Sequence, residues 1–455
     1  MRIIRLFILT LMLGMSTPLV AQPTAPERLD ARSSSDARKL ALDTLAVKMK
    51  EGYVFPAIAE KVAQRLKRER MTLLAATTDA KFAEAVRKVL DEVAKDRHLT
   101  FLHDPATYDR LTAPPEAPTQ AEAPAEKSFA SSTDGFRKVE LLDGNIGYID
   151  LDMMASVTAQ SGERAAAAMA FLGDAEAVII DLRRNPGGSG KMNQLLSTYF
   201  FADNDDKMLI RNENRSAGTN VQEWTLPFVP GRRLPEVPLF FLVDDGTGSA
   251  AEGFAYNLQA LGRAKVVGQP TAGAAHSGSH VALAPGFVMF LPTGLTVNPI
   301  TKGNWEGTGV QPDLPISSDL AMHKALEQIW SGKKASAPAG SLAAKRAEWQ
   351  LAYLGSVLNP ASPSFDPSPY IGSYDGNRII STDGLSFYYK SGTNRPGRLT
   401  PLADGTFVVE NQTLFGEGSI RVRFIKGEDG SHRLQVLTWH PVSNLLTSEY
   451  AKVRS

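Results

Sequence analysis

Val237-Pro-Leu-Phe-Phe-Leu-Val-Asp-Asp-Gly-Thr-Gly-Ser249-Ala-Ala-Glu252 joins a strand to a helix through one short turn. Val237 to Val243 is a continuous apolar run rich in aromatic and branched side chains, the composition of a buried strand. Asp244 to Gly248 supply the turn, and Phe254, Leu258 and Leu261 recur at helical spacing after it. Ser249 therefore sits where the first free N–H groups of a helix and its dipole favour a developing negative oxygen. That placement suits a nucleophile with its own oxyanion donors. Serine is also a preferred N-cap residue, so the position alone leaves a purely structural reading open.

Outward from this unit, strands alternate with helices. Val139 to Leu151 reads as a hairpin around Asp143-Gly144, Glu163 to Leu172 as an Ala-rich helix, and Ala177-Val-Ile-Ile-Asp-Leu182 as a buried strand. A helix through Leu195, Leu196 and Phe200 follows a glycine turn; Lys265 to Val267, Val281 and Phe287 to Leu291 are further β segments, and Asp319 to Trp330 is a closing helix. The alternation predicts an α/β core. Before it, apolar residues at helical spacing from Ser34 to about His98 predict a helical bundle. After Phe365, short alternating segments separated by Gly, Asp and Asn turns predict a small antiparallel β domain. The expected boundaries are a signal peptide at 1–21, a helical domain at 30–104 and a Pro/Ala-rich linker at 105–134. The α/β domain at 135–335, a connecting helix and linker at 336–364 and the β domain at 365–455 complete the chain.

The 455 residues are 43% hydrophobic and carry 49 basic against 49 acidic side chains. That balance offers no overall charge to recruit nucleic acid or an anionic membrane surface. Arg2 and Arg5, the apolar stretch Leu6 to Met15 and the small-residue end Leu19-Val-Ala21 form the pattern of a secretory signal cut after Ala21, which predicts a periplasmic or secreted product. No later segment is long enough for a membrane span. With no cysteine, thiol catalysis, disulfides and Cys-based zinc sites are excluded.

Two further places bear on chemistry. In Asp181-Leu-Arg-Arg-Asn-Pro-Gly187-Gly188 a buried strand runs into a glycine pair that opens a helix. Such a turn exposes N–H groups and lets a carbonyl approach without meeting a Cβ, although tight packing alone would also call for the glycines. A serine nucleophile needs a general base. The histidines are His98, His103, His276, His280, His323, His432 and His440. His98 ends the helical region; His276 and His280 lie in a Gly/Ser-rich stretch off any helix, a poor setting for a metal pair. No metal or cofactor is expected.

Five elements in order resemble the S41 peptidases, the family of tail-specific proteases, tricorn core protease and interphotoreceptor retinoid-binding protein repeats. They are Asp96-Arg-His-Leu-Thr100, Ile180 to Gly188, Thr247-Gly-Ser-Ala-Ala-Glu252, Gly268-Gln-Pro-Thr-Ala-Gly273 and Glu306-Gly-Thr-Gly-Val-Gln-Pro-Asp313. The resemblance implies a ClpP/crotonase-like α/β catalytic domain acting on peptide or protein substrates, with a homo-oligomer left open and no PDZ domain required. Tail-specific members use a lysine after the Thr-x-Gly element, where this chain has Ala274 and Ala275. The tricorn-like branch uses instead a histidine of the Asp-x-His element and a glutamate before Gly-Val-x-Pro-Asp. It thereby implies Ser249 as nucleophile, His98 as base and Glu306 as its partner. Oxyanion donors would be Gly187 or Gly188 with Ala250, since Pro186 has no N–H. A carrier of apolar ligands on the same scaffold and an esterase are the competing functions.

Overall fold

The computed structural model describes residues 31–96, 98–113, 133–360, 365–410, 419–440 and 444–453. The expected signal peptide and most of the expected linker lie outside the described residues.

Six strands form the central sheet. They are β2 (Phe136–Leu142), β3 (Ile146–Leu151), β4 (Ala177–Asp181), β7 (Leu239–Val243), β8 (Ala264–Gly268) and β11 (Leu314–Pro315), in the spatial order β11-β8-β7-β4-β3-β2. All neighbours are parallel except the β2–β3 hairpin. Its turn uses Gly144 and Asn145 at φ +82° and +58°, the left-handed pair that matches strand twist. Successive residues of β4 point to opposite sides. Val178 and Ile180 pack with Phe241, Val243, Met169, Leu196 and Phe254 under α5 (Ala159–Phe171), α6 (Gly190–Thr198) and α7 (Ser249–Ala260). Ile179 packs with Phe240, Leu242, Ile329 and Leu354 under α8 (Ala321–Ser336) and α9 (Leu342–Leu358). The α/β expectation is realised as three layers, with the central strands β4 and β7 buried on both faces.

The N-terminal helices α1 (Ala31–Gly52), α2 (Pro56–Leu74) and α3 (Asp79–Ala94) are not a free-standing bundle. Their buried residues share one core with a second sheet, built on β1 (Thr100–His103), β5 (Met208–Asn214), β6 (Thr219–Trp224), β9 (Ser277–Ala284) and β10 (Phe287–Val297). Thr100 to His103 pair antiparallel with Phe290 to Phe287, so the chain passes from α3 into the second sheet. A short helix α4 (Pro105–Thr112), capped by Asp104, stands where composition alone reads as linker.

The C-terminal strands β12 (Gly372–Tyr374), β13 (Arg378–Thr382), β14 (Phe387–Ser391), β15 (Gly397–Pro401), β16 (Phe407–Val409), β17 (Ile420–Lys426), β18 (His432–His440) and β19 (Asn444–Ala451) pair antiparallel in chain order. A bridge between Tyr374 and Lys452 joins the last strand to the first, reinforced by Asp375 N to Ala451 O at 3.1 Å and Val453 N to Ser373 O at 2.8 Å. The antiparallel domain is thus a closed barrel with a filled aromatic interior. Arg421, 1% exposed, stacks its guanidinium 3.6 Å above the Trp349 ring and ties the barrel to α9. Burial pushes that guanidinium down to about 10, with Asp404 working against the shift.

Phe101 joins the helices to the second sheet, with its ring 5.8 Å from those of both Phe82 and Phe287. Phe101→Ala is expected to cost about 3–5 kcal/mol. Denaturant unfolding followed by helix and sheet signals should shift as one transition; a helical signal melting separately would contradict the shared core.

Candidate active site

Each strand of the central sheet that ends near Ser249 hands over to a turn fastened by its neighbours. Thr247 donates its hydroxyl to Leu182 O at 2.9 Å, and Gly248 N donates to Asn185 O at 2.9 Å. Ser249 then opens α7 at φ +47°, a left-handed conformation costing a non-glycine residue about 1–3 kcal/mol. Glu252 reaches back to Ser249 N at 2.8 Å, which is the acid half of a capping box. The cap position itself is held by Gly248, which has no side chain, and Ser249 is the first residue of the helix. The N-cap reading fails on this geometry.

Beside Ser249 lies the glycine turn. A Cβ on Gly187 would come 2.7 Å from Ser249 Cβ, and one on Gly188 would come 2.1 Å from Met154 O. Gly187 N is already committed, donating to Asn185 Oδ1 at 2.9 Å, while buried Asn185 donates to Leu151 O. Met154 bonds Gly187 O and Ser189 N on either side of Gly188. In an extended bridge of this kind the N–H of Gly188 faces away from Met154. Of the two expected donors, Gly188 rather than Gly187 has its N–H to offer, together with Ala250 in the first turn of α7.

Glu252 is wholly buried and accepts four hydrogen bonds, from Ser249 N, Thr271 Oγ1, Gly273 N and Ala274 N. Burial raises its carboxyl above the ordinary range, and the four donors offset part of that rise. Thr271 Oγ1 accepts from Val310 N at 2.7 Å, which stitches the Thr-x-Gly element to the loop bearing Glu306.

Glu306 Oε2 accepts from Ala275 N at 2.6 Å and His276 N at 3.2 Å. It lies 3.8 Å from His98 Nδ1, which is buried and otherwise without a hydrogen-bond partner among the described residues. Burial opposes ionisation of Glu306, yet the His98 ring, Ala275 N–H and His276 hold its carboxyl below the ordinary range. The structure thus brings His98 and Glu306 together, and joins Glu306 to Ser249 through the backbone of Ala274 and Ala275. No hydrogen bond links His98 to Ser249 Oγ directly among the described residues. Catalytic hydrogen bonds in unliganded sites commonly tighten only when substrate arrives.

His276 and His280 do not form a pair. His280 sits on β9 with its ring edge-on to Phe290, whereas His276 is buried and bonds Asp96 Oδ2 through Nδ1 at 3.0 Å. Asp96, His276 and Glu306 are the one group among the described residues whose ligand atoms, within 4.8 Å of one another, could hold a metal ion. Protein donors already reach each carboxylate: Tyr53 OH at Asp96, and two backbone N–H groups at Glu306.

The two glutamates can be weighed by stability. Glu252→Ala leaves four donors without their acceptor and is expected to cost at least about 3 kcal/mol in denaturant unfolding; a loss below about 0.5 kcal/mol would remove it as an anchor. For Glu306 the folded-state pKa is depressed, so its contribution is present above the unfolded value of about 4.3 and is lost as pH falls through the folded value. The destabilisation caused by Glu306→Gln should therefore be largest near neutrality and shrink in acid; a constant difference across pH would refute the charged role.

Residues 145–316 match the family model described as Peptidase family S41. Carboxyl-terminal-processing peptidase 3 of the Arabidopsis thaliana chloroplast is 26% identical over 174 residues, covering 38% of this chain and 32% of that protein. Carboxy-terminal processing protease CtpA of Bacillus subtilis is 31% identical over 134 residues, covering 30% of this chain and 27% of that protein. The chain thus spans about a third or less of the length of these curated relatives. The solved photosystem II D1 C-terminal processing protease is 16% identical with a TM-score of 0.41, over 62% of this chain and 94% of that one. Ser249, Glu306 and the glycine turn fall inside the matched span and His98 precedes it; over residues 145–316 the chain is similar to Peptidase family S41, a family of serine-type peptidases.

Proposed function

We propose that this chain is a serine endopeptidase, exported to the periplasm or beyond, in which Ser249, His98 and Glu306 act together on peptide or protein substrates. The observation that carries the reading is the approach of Glu306 Oε2 to His98 Nδ1 at 3.8 Å, in a chain whose lysine position holds Ala274. A carboxylate on Nδ1 leaves Nε2 as the nitrogen that accepts a proton.

In the reaction Ser249 Oγ forms a bond to the scissile carbonyl carbon as its proton passes to His98 Nε2. The carbonyl electron pair moves onto oxygen, and N–H groups of Gly188 and Ala250 receive that oxyanion, each worth about 3 kcal/mol of barrier. Collapse breaks the C–N bond, and the imidazolium returns the proton to the departing amine. Water then repeats the sequence on the acyl-enzyme. Glu306 stays ionised throughout and supports the imidazolium that forms in each half.

Export rests on the leader pattern of residues 1–21; among the described residues no helix is long and apolar enough to cross a membrane. Ser249→Ala should lower peptide hydrolysis by about 10⁴-fold or more while the protein keeps its unfolding transition. A fluorophosphonate probe should label Ser249 and spare the variant. Folded Ser249→Ala protein that still hydrolyses peptide would reject the assignment, and an unlabelled wild-type serine would favour the ligand carrier. Faster turnover of matched esters than peptides, with no peptide cleavage, would make the chain an esterase.

A further inference from the structure

We infer that His276, Asp96 and Tyr53 form a positioning relay behind Glu306, through which a second imidazole shares the carboxylate that serves His98. The inference rests on the Ser249–His98–Glu306 reading. Glu306 Oε2 stands between two ring nitrogens, His98 Nδ1 at 3.8 Å and His276 Nδ1 at 3.5 Å. His276 has a side chain only 3% exposed, so its ring is no solvent-facing spare. Its Nδ1 also lies 3.0 Å from Asp96 Oδ2, and its main-chain N–H donates to Glu306.

Asp96 ties the pair to the base itself. Its Oδ1 accepts from His98 N at 3.0 Å, while its Oδ2 accepts from Tyr53 OH at 3.0 Å and faces His276. One carboxylate therefore fixes the main chain of His98 and the ring of His276 at once. Tyr53, fully buried just beyond α1, anchors the far end, and Phe55 packs edge-on against His276 with centroids 5.2 Å apart. A buried and a partly buried carboxylate this close repel each other unless a donor sits between them. The Nδ1–H of His276 is that donor. Without it the repulsion from Asp96 would pull Glu306 Oε2 against its two backbone N–H donors, and would turn the carboxylate that orients the His98 ring. Small misplacements of a reacting group cost up to about a hundredfold in rate.

A double-mutant cycle separates action through Glu306 from a merely structural role. His276→Leu should lower kcat on a peptide substrate by about tenfold or more with KM little changed. His276→Asn, whose amide N–H can occupy the place of Nδ1–H, should recover most of the loss. In a Glu306→Gln background, His276→Leu should have little further effect on kcat, because the group it positions is already altered. Losses that multiply in the double variant, or His276→Leu enzyme with kcat within about twofold of wild type, would overturn the relay. If His276→Leu does not fold, Tyr53→Phe removes one hydroxyl and enters the same cycle: a loss that vanishes in the Glu306→Gln background supports the relay, and one that multiplies there overturns it. Failure of the underlying site reading shows separately, as hydrolysis surviving in Ser249→Ala.

Discussion

Four consecutive backbone N–H groups, those of Gly273, Ala274, Ala275 and His276, are divided two and two between the buried carboxylate of Glu252 and the partly buried one of Glu306. Glu252 takes the first pair and Glu306 the second. This division sets the spacing of everything catalytic. Glu252 also holds Ser249 N, and Glu306 faces His98, so a stretch of main chain acts as the ruler between the proposed nucleophile and the proposed base. A backbone ruler is stiff where side chains are not, since each peptide is planar and each N–H direction is fixed. At Ala274 what is used is the amide, which any residue but proline provides.

The second constraint is the pairing of β1 with β10. His98 belongs to the helical N-terminal region by sequence, yet β1 begins two residues later and lies in register against Phe290 to Phe287. The shared core of α1, α2, α3, β9 and β10 then locks the register, since a one-residue slip would turn Phe101 out of the core. Packing energy remote from the chemistry is thereby converted into the position of one imidazole.

The strand–turn–helix unit was legible because its strand is buried on both faces and so reads as an unbroken apolar run. The candidate trio was legible only through family resemblance: its members lie in three separate segments, and no periodicity relates His98 to Glu306. Other features left no local trace. His276 sits in a Gly/Ser-rich stretch, and its partner Asp96 is 180 residues away, so nothing nearby marks it as buried. Glu252 looks like an ordinary first-turn acid, the Ser-x-x-Glu pattern of a capped helix, and its four-fold role appears only once the Thr271 loop folds over it. The β5–β6 hairpin is silent in the sequence because β6 is almost wholly exposed and carries little apolar alternation. Composition misled at Pro105–Thr112, where proline opens a helix rather than prevents one.

Closure of the C-terminal barrel has a consequence for life in a crowded compartment. An open eight-stranded sheet would present two rows of unpaired amides, each a template for a strand from another chain. By joining the end of β19 to β12 the domain covers the row of β12 and the last residues of β19. Around β12 association must then be mediated by side chains on the outer surface, where charge and shape discriminate between partners, instead of by indiscriminate main-chain zippering.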